Sequence, residues 1–257
     1  MVTGAGRGLG AAHARALAAA GAAVVVNDLS VSVDGAEGDG QDVAAGVVAE
    51  IVAAGGRAVA DRSDVGSFAG GAAVVRTAVE SFGRVDIVVN NAGILLAGKV
   101  AELSEVDFAR CLNVHVLGGL STARAAFPYM RERNFGRVVN TISEAALGTG
   151  YHAGVAYATA KSAIWGLTMA LADEGAPFGI TVNAVSPGAL TRMSRDHVGR
   201  TALDLAPEHV SRVVLELVAG AVTGRVVHAA AGAVREYRLR RTADTELVRR
   251  LVEEEQQ

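Results

Sequence analysis

Residues 2–17, VTGAGRGLGAAHARAL, begin a chain of 257 residues with a pattern that predicts its fold. A short β-branched fragment leads into four glycines, Gly4, Gly6, Gly8 and Gly10, and a helical pattern follows at once. Glycines let the backbone approach a phosphate closely, and a helix N-terminus offers free N–H groups and a favourable dipole. A strand, a glycine turn and a helix in this order predict a dinucleotide-binding turn.

An acid follows at the end of the next β-branched run, where Asp28 closes VVVND, 18 residues after Gly10. A carboxylate there can bind the hydroxyls of an adenosine ribose, and a solvated acid at a strand end is the alternative. Arg7 in the glycine turn offers a contact for a 2′-phosphate, but Asp28 opposes that phosphate by like charge. Three more acids follow nearby, at Asp34, Glu37 and Asp39. We therefore predict NAD as the cofactor, and not NADP.

Short β-branched runs alternate with alanine-rich helical patterns along the chain. The strand candidates are Val24–Val26, Arg57–Ala60, Ile87–Val89, Val138–Ile142, Thr181–Val185 and Arg225–His228. The helix candidates are Ala11–Ala20, Val43–Ala54, Phe68–Phe82, Glu105–Arg133 and Val155–Glu174. Near-continuous apolar strands between helices predict an α/β fold, with a parallel sheet of about seven strands covered on both faces. We expect a single doubly wound Rossmann domain over residues 1–232.

Three segments depart from this regular pattern. Residues 29–41, LSVSVDGAEGDGQ, are rich in glycine and acids and predict a loop after the second strand. In the charged tail, residues 233–257, an apolar stripe over Leu247–Val252 predicts a short amphipathic helix, with a frayed terminus as the equal alternative. Only three residues precede Gly4, whereas a strand usually has about 5–6. Either the assigned start codon lies too far downstream, which is our hypothesis, or the protein tolerates a weakened central strand.

Composition narrows the function classes. The net charge is −3, and no basic run interleaves with aromatic residues, which argues against nucleic acid as a partner. Cys111 is the only cysteine, and the histidines show no ligand spacing, so we predict no metal site. No apolar run reaches the length of a membrane span. We expect a soluble, cytoplasmic protein that does not bind membranes.

Tyr157 and Lys161 stand four residues apart in a predicted helix and therefore share one face, one turn apart. Hydride transfer at a carbinol carbon needs a group that handles the hydroxyl proton near neutral pH. A phenol has a pKa of about 10 in water and is a poor base at that pH, but a nearby ammonium favours the phenolate. The pair meets this requirement, and a surface Tyr–Lys pair is the alternative.

These motifs together resemble the short-chain dehydrogenase/reductase family over residues 1 to about 232. The glycine turn resembles its TGxxxGxG signature, NNAG (90–93) its adenine-pocket motif, and Asp64 its adenine-contacting aspartate. Ser143 and YxxxK at 157–161 resemble its catalytic residues, and NAVSPG (183–188) resembles the segment against the nicotinamide. The resemblance implies cofactor contacts from Gly4, Arg7, Gly8, Leu9, Gly10, Asp28, Asp64, Val65, Asn91, Ala92, Gly93, Tyr157, Lys161, Pro187, Gly188 and Thr191.

The resemblance also implies roles at the reacting centre. Tyr157 is the expected acid/base, Lys161 holds the nicotinamide ribose and lowers the pKa of Tyr157, and Ser143 binds the substrate oxygen. Ser143 lies 14 residues before Tyr157, where the family more often has 12 or 13, and a capping hydroxyl is its alternative role. The family's fourth residue is an asparagine in N-x-x-G. Counting from Phe108 and Gly118 predicts His115 there, and not Asn113, with a structural histidine as the alternative.

Finer features resemble the hydroxyacyl-CoA dehydrogenase branch of multifunctional β-oxidation enzymes and its bacterial relatives. These are VVVNDL, the acidic insert, VHVLG and LTRM. They imply a 3-hydroxyacyl or 3-oxoacyl thioester as substrate, and a homodimer or homotetramer built on helices 105–133 and 155–174. Arg192, Arg195 and Arg200 suit a phosphopantetheine carrier or form a solvated loop. The alternative functions are a ketoreductase of a specialised biosynthetic pathway and a dinucleotide-binding module without turnover.

Overall fold

The computed structural model describes residues 1–35, 38, 42–96, 98–147, 153–194 and 203–239. Its centre is an eight-stranded sheet in the order β3-β2-β1-β4-β5-β6-β7-β8, in which the first seven strands are parallel and β8 is antiparallel to β7. The strands are β1 (Val2–Thr3), β2 (Ala23–Asn27), β3 (Arg57–Asp61), β4 (Ile87–Asn90), β5 (Gly136–Thr141), β6 (Ile180–Gly188), β7 (Val226–Ala230) and β8 (Ala233–Tyr237). The predicted α/β class and parallel sheet are confirmed.

Helices cover both faces of the sheet. They are α1 (Gly8–Ala19), α2 (Val43–Ala53), α3 (Phe68–Phe82), α4 (Glu105–Leu112), α5 (Gly118–Arg133), α6 (Val155–Gly175) and α7 (Pro207–Ala219). The first, second and seventh pack on one face, and the third, fifth and sixth on the other. The alternation along β2 shows why its apolar run is continuous: Val24 and Val26 enter one core, and Val25 enters the other.

The long predicted helix over 105–133 has an irregular centre. A π-helical turn, Asn113–Leu117, separates α4 from α5 without breaking the path of the chain. Such turns change the direction in which side chains point, because an extra residue enters the helical repeat. The turn places His115 inside the protein and leaves Asn113 exposed.

The C-terminal part of the chain differs from the sequence prediction in two places. Residues 207–219 form α7, a helix absent from the sequence prediction, with Val210 and Val214 in the core. Residues 233–237, which we assigned to a separate tail, form β8 and extend the sheet. A turn at Ala231 and Gly232, both with positive φ, makes this hairpin possible. The predicted amphipathic helix over Leu247–Val252 lies outside the described residues.

The first strand contributes two residues between longer neighbours. Val2 and Thr3 pair with β2, and Val2 pairs with β4. The Met1 ammonium donates to the Ile87 carbonyl over 2.8 Å, and burial lowers its pKa to about 5 against the opposing effect of Asp86. A cavity of ≈ 250 Å³ adjoins Met1 and the beginnings of β2 and β4.

The strand order reverses between β1 and β4. The segments that follow β1 and β4 lead away from each other, towards opposite edges of the sheet. A crevice therefore opens outside the carboxyl ends of these two strands, where α/β sheets bind ligands. The glycine turn follows β1 and NNAG closes β4. The topology therefore brings these two motifs together.

Candidate active site

The glycine turn is locked against the end of β4. The Asn91 amide donates to the carbonyl oxygens of Thr3 (3.0 Å) and Gly4 (3.1 Å). The Thr3 hydroxyl accepts from the backbone N–H groups of Asn91 (3.1 Å) and Ala92 (3.0 Å). Gly4 has φ +60°, and a Cβ there would lie 2.8 Å from Ala92 Cα. The turn therefore requires glycine for both its backbone angle and its close packing.

The Asp28 carboxylate connects the end of β2 to the glycine turn. Its Oδ2 accepts from Gly6 N–H (2.9 Å) and its Oδ1 accepts from Ser30 N–H (2.7 Å). A Cβ at Gly6 would lie 3.0 Å from Asp28 Oδ2, so the turn and the acid are in contact. Asp28 is half-buried, and both of its oxygens are oriented by backbone donors.

The remaining predicted cofactor contacts surround this crevice. Val65 is buried, whereas Asp64 is exposed and its carboxylate accepts from Gly66 N–H over 2.9 Å. Thr191 lies beside the turn, because a Cβ at Gly8 would be 3.5 Å from Thr191 Cγ2. At the same edge, Gly10 is buried and Gly8 is exposed. The other predicted contacts there are half-buried: Arg7, Leu9, Ala92, Gly93, Pro187 and Gly188.

The loop after β2 reaches across the crevice. The Val33 carbonyl accepts from Leu95 N–H over 3.0 Å, and Arg192 Nη2 donates to the Val31 carbonyl over 3.3 Å. The predicted loop is therefore tied to both walls. Glu37 and Asp39 lie outside the described residues.

Tyr157 and Lys161 lie in the first two turns of α6, both buried, with 8% and 3% exposure. Lys161 Nζ is 5.5 Å from the centroid of the Tyr157 ring and donates to the Thr141 carbonyl at the end of β5 over 2.8 Å. Burial lowers the pKa of Lys161 to about 7, with a smaller opposing effect from Cys111. Tyr157 and Lys161, four residues apart, therefore lie together on a buried face of α6.

Ser143 follows β5 and is 9% exposed. Its Oγ accepts from Ala145 N–H over 3.2 Å, within a 3₁₀ turn over Glu144–Ala146. A hydroxyl that accepts at its oxygen still has its hydrogen to donate. The capping role considered from the sequence is therefore present, and it leaves the O–H free to bind a substrate oxygen.

His115 stands against the Tyr157 ring, with the ring centroids 5.3 Å apart and the planes at 90°. Its Nε2 lies 2.8 Å from the Ile94 carbonyl oxygen and 3.2 Å from Ile94 N. Burial, and then the Lys161 charge, hold the pKa of His115 well below its ordinary value, so the imidazole is neutral. The shorter contact favours the tautomer with the proton on Nε2, which leaves Nδ1 as an acceptor.

A small polar cavity adjoins His115. Among the described residues, neither His115 Nδ1 nor Thr141 Oγ1 has a hydrogen-bond partner, and both residues line this cavity together with Asn90 and Asn140. The centre of a water-sized sphere can move over ≈ 10 Å³ there, close to the room that one water needs. Sequence reasoning missed Thr141 and Ile94, because their contacts are made by backbone atoms that no side-chain motif marks.

Two classes of feature are not found in the part of the chain that the structure describes. No three histidine, cysteine, aspartate or glutamate side chains are grouped so as to hold a metal ion. No helix there is long and apolar enough to span a membrane.

The parallel sheet has a glycine turn at its switch point and an acid after its second strand, and a buried Tyr–Lys pair lies beside the crevice. Together these features define a dinucleotide-dependent oxidoreductase. A family model described as short chain dehydrogenase matches residues 1–200. The chain belongs to this family, whose members use a nicotinamide dinucleotide, and it is an oxidoreductase.

Known proteins place it within the family. It is 44% identical over 196 residues to the peroxisomal hydratase-dehydrogenase-epimerase of Saccharomyces cerevisiae. The aligned residues make up 76% of this chain and 21% of the yeast protein, so the chain spans about a fifth of that relative's length. A (2S)-[(R)-hydroxy(phenyl)methyl]succinyl-CoA dehydrogenase subunit from Thauera aromatica is 38% identical over 190 residues, 74% of this chain and 72% of that one. The crystal structure of a short chain dehydrogenase from Mycobacterium avium aligns with a TM-score of 0.81 and 39% identity, covering 98% of this chain and 92% of that one.

Proposed function

We propose that the protein is an NAD(H)-dependent dehydrogenase that interconverts a secondary alcohol and a ketone, with 3-hydroxyacyl and 3-oxoacyl thioesters as its substrate class. The observation that carries the proposal is the buried Tyr157–Lys161 pair, which Lys161 ties to the Thr141 carbonyl at the end of β5, two residues before the buried Ser143. When bound, NAD accepts a hydride from the carbinol carbon, giving a ketone, NADH and a proton. The residues of this chain position the alcohol and remove its hydroxyl proton.

Tyr157 is the proposed acid/base and Lys161 its electrostatic partner. A phenolate and an ammonium stabilise each other, so ionisation of Tyr157 favours the protonated form of Lys161 and the reverse. The pKa of Lys161, lowered to about 7 by burial, places its titration where this mutual effect operates at neutral pH. Ser143, whose oxygen already accepts from Ala145 N–H, donates its hydrogen to the substrate oxygen.

His115 is the proposed fourth residue of the site, in the position of the family's asparagine. The hydrogen bond from its Nε2 to the Ile94 carbonyl supports this role, because it orients the ring beside Tyr157. His115 lines a cavity of water size, and its buried Nδ1 has no hydrogen-bond partner among the described residues, which supports a proton path through water at this point.

NAD is the proposed cofactor because of the Asp28 carboxylate. The two backbone donors that hold it also fix its negative charge at the end of β2 beside the glycine turn. A 2′-phosphate would meet this charge, whereas ribose hydroxyls can donate to it. Arg7 lies at the same edge and is expected to contact the pyrophosphate or the ribose.

Two observations support thioesters as the proposed substrate class: the names of two relatives, and the positive charge of Arg192. The Thauera enzyme acts, by its name, on a CoA thioester, and the yeast relative is a hydratase-dehydrogenase-epimerase. Arg192, exposed at the edge of the crevice, suits the phosphates of such a carrier. Arg195 and Arg200 lie outside the described residues.

We also propose a homodimer or homotetramer that uses the outer faces of α4, α5 and α6. The outer face of α6 supports this, because small exposed residues such as Ser162, Ala163 and Gly166 permit close helix contact. Light scattering coupled to size exclusion distinguishes these states from a monomer.

The decisive experiment is a turnover screen with NADH and NADPH, using acetoacetyl-CoA and a simple ketone. We expect the highest kcat/KM with NADH and acetoacetyl-CoA, and a large loss in Ser143→Ala. Turnover of simple ketones alone would reject the thioester class. Binding of NADH without turnover of any carbonyl substrate would favour the non-catalytic module.

A further inference from the structure

Behind Ser143, the β7–β8 hairpin contributes a polar cluster that no part of the proposed chemistry uses. We call Glu144, His228 and Tyr237 the hairpin cluster. The Tyr237 hydroxyl, at the end of β8, donates to Glu144 Oε1 over 3.1 Å. His228 Nδ1 lies 3.8 Å from the same Oε1, and the His228 and Tyr237 rings meet edge-on with centroids 6.5 Å apart.

The cluster contacts the turn that orients the catalytic serine. Glu144 is the first residue of the 3₁₀ turn, and the next residue, Ala145, supplies the N–H that Ser143 Oγ accepts. The Tyr237 ring packs in the small core that includes Ala146 and Leu147 of the same region. Holding the Glu144 side chain therefore restrains the backbone that points at the Ser143 hydroxyl.

The cluster also adjoins the nicotinamide wall. His228 Nδ1 lies 3.4 Å from Ser186 Oγ, and a Cβ at Gly188 would lie 3.4 Å from His228 Cε1. The hairpin thus contacts two parts of the proposed reacting centre. Tyr237 contacts the turn after Ser143, and His228 contacts residues 186–188.

We infer that Tyr237 and Glu144 are positioning residues, through which β8 holds the Ser143 hydroxyl in the orientation that donates to the substrate oxygen. The inference rests on the proposed function, since it requires Ser143 to act on substrate. It assigns a role to β8, an antiparallel strand added beyond the seven parallel ones. Burial, and then the hydrogen bond and charge of Glu144, raise the pKa of Tyr237, so its hydroxyl stays protonated and donates near neutral pH.

The kinetic test is Tyr237→Phe, which keeps the ring in its packing and removes only the hydroxyl. With NADH and acetoacetyl-CoA, we expect kcat to fall about 10-fold, a loss typical of a mispositioned catalytic group. The NADH dissociation constant should stay within about 2-fold, because the hydroxyl that is removed bonds to Glu144, beside Ser143. Tyr129→Phe, on the exposed face of α5, is the matched control. Glu144→Gln keeps an acceptor for Tyr237 and should retain more activity than Glu144→Ala.

A second measurement does not depend on the substrate. The Ala145 amide should exchange with deuterium about 10-fold faster in Tyr237→Phe than in Tyr129→Phe, because a released turn opens more often. Equal exchange in the two variants, or equal kcat, would overturn the inference. If Ser143→Ala abolishes turnover while Tyr237→Phe matches its control, only the positioning role fails. If Ser143→Ala keeps full turnover, the proposed function of Ser143 itself fails.

Discussion

His115 Nε2 lies within hydrogen-bonding distance of both backbone atoms of Ile94, 2.8 Å from the carbonyl oxygen and 3.2 Å from the nitrogen. Ile94 follows NNAG, so this contact joins the π-helical turn to the end of β4. A side-chain amide has an N–H donor and a carbonyl acceptor and can make both contacts at once. The imidazole, with its proton on Nε2, makes one of these contacts, the donation to the Ile94 carbonyl, and a side-chain amide at this position could make the same contact.

His115→Asn should therefore preserve turnover better than His115→Ala. The amide can restore the contacts to Ile94, and we expect a kcat loss of about 10-fold or less for Asn and about 100-fold or more for Ala. Steady-state kinetics with NADH and acetoacetyl-CoA measures this. Asn113→Ala, at the exposed neighbouring position, is the control. Equal losses for Asn and Ala would show that the Ile94 contacts are irrelevant to the role of His115.

Tyr157→Phe should abolish most of the turnover and leave NADH binding intact. Phenylalanine keeps the edge-on contact with His115 but has no proton to exchange, and general acid–base catalysis contributes about 10²- to 10⁴-fold. Kinetics and fluorescence titration with NADH separate the two effects. The acid/base role would be rejected if the variant bound NADH and turned over as fast as Tyr129→Phe.

Asp28→Asn should shift the cofactor preference toward NADPH. The amide oxygen can still accept from Gly6 or Ser30 N–H, whereas the charge that repels a 2′-phosphate is gone. Removing a repulsion of about 1.4 kcal/mol should raise the ratio of kcat/KM for NADPH over NADH about 10-fold. Asp173→Asn, on the exposed end of α6, is the charge-matched control. A uniform loss with both cofactors would contradict a role at the ribose.

Stability should fall on acidification partly because of His13. This histidine is buried between α1 and α7, with Nδ1 2.8 Å from Ser211 Oγ, and burial lowers its pKa from 6.5 to about 4. Between these values the unfolded chain binds more protons than the folded one, so stability rises with pH across this window and is lost as pH falls through it. The loss contributed by His13 at pH 4.5 is about 2–3 kcal/mol.

His13→Gln removes the titrating group and can keep the contact with Ser211. Urea unfolding at pH 7 and pH 4.5 should show a smaller acid-induced loss in this variant than in the wild type. His209→Gln is a control at a histidine paired with Asp204 near the surface. The same pH dependence in the wild type and His13→Gln would show that His13 is not the cause.

Several features follow from local sequence alone. The continuous valines of β2 predict a strand buried on both faces, and Val24, Val25 and Val26 do enter opposite cores. The four-residue spacing of Tyr157 and Lys161 places both on one turn of α6, because the helical repeat requires it. Counting back from Gly118 indicated His115, which the structure buries beside Tyr157.

Other features lay beyond local pattern. The sequence prediction contains no helix over residues 207–219, although Val210, Val214 and Leu217 recur at helical spacing in α7. The charged residues of β8, Arg235 and Glu236, gave no strand signal, because both lie on an exposed edge strand where pairing with β7 decides the conformation.

Local sequence established the order of strands and helices from β1 to α6, apart from the π-helical turn between α4 and α5, together with the glycine turn and the residues that share one helical turn, since these depend on neighbours along the chain. Only the tertiary structure decided that Lys161 binds the Thr141 carbonyl and that Tyr237 reaches Glu144, 93 residues away in sequence. These contacts depend on how strands and helices pack, and backbone groups that accept them carry no mark in the sequence. Local sequence was therefore enough to nominate the candidate catalytic residues, and only the packing of the elements shows how these residues are held.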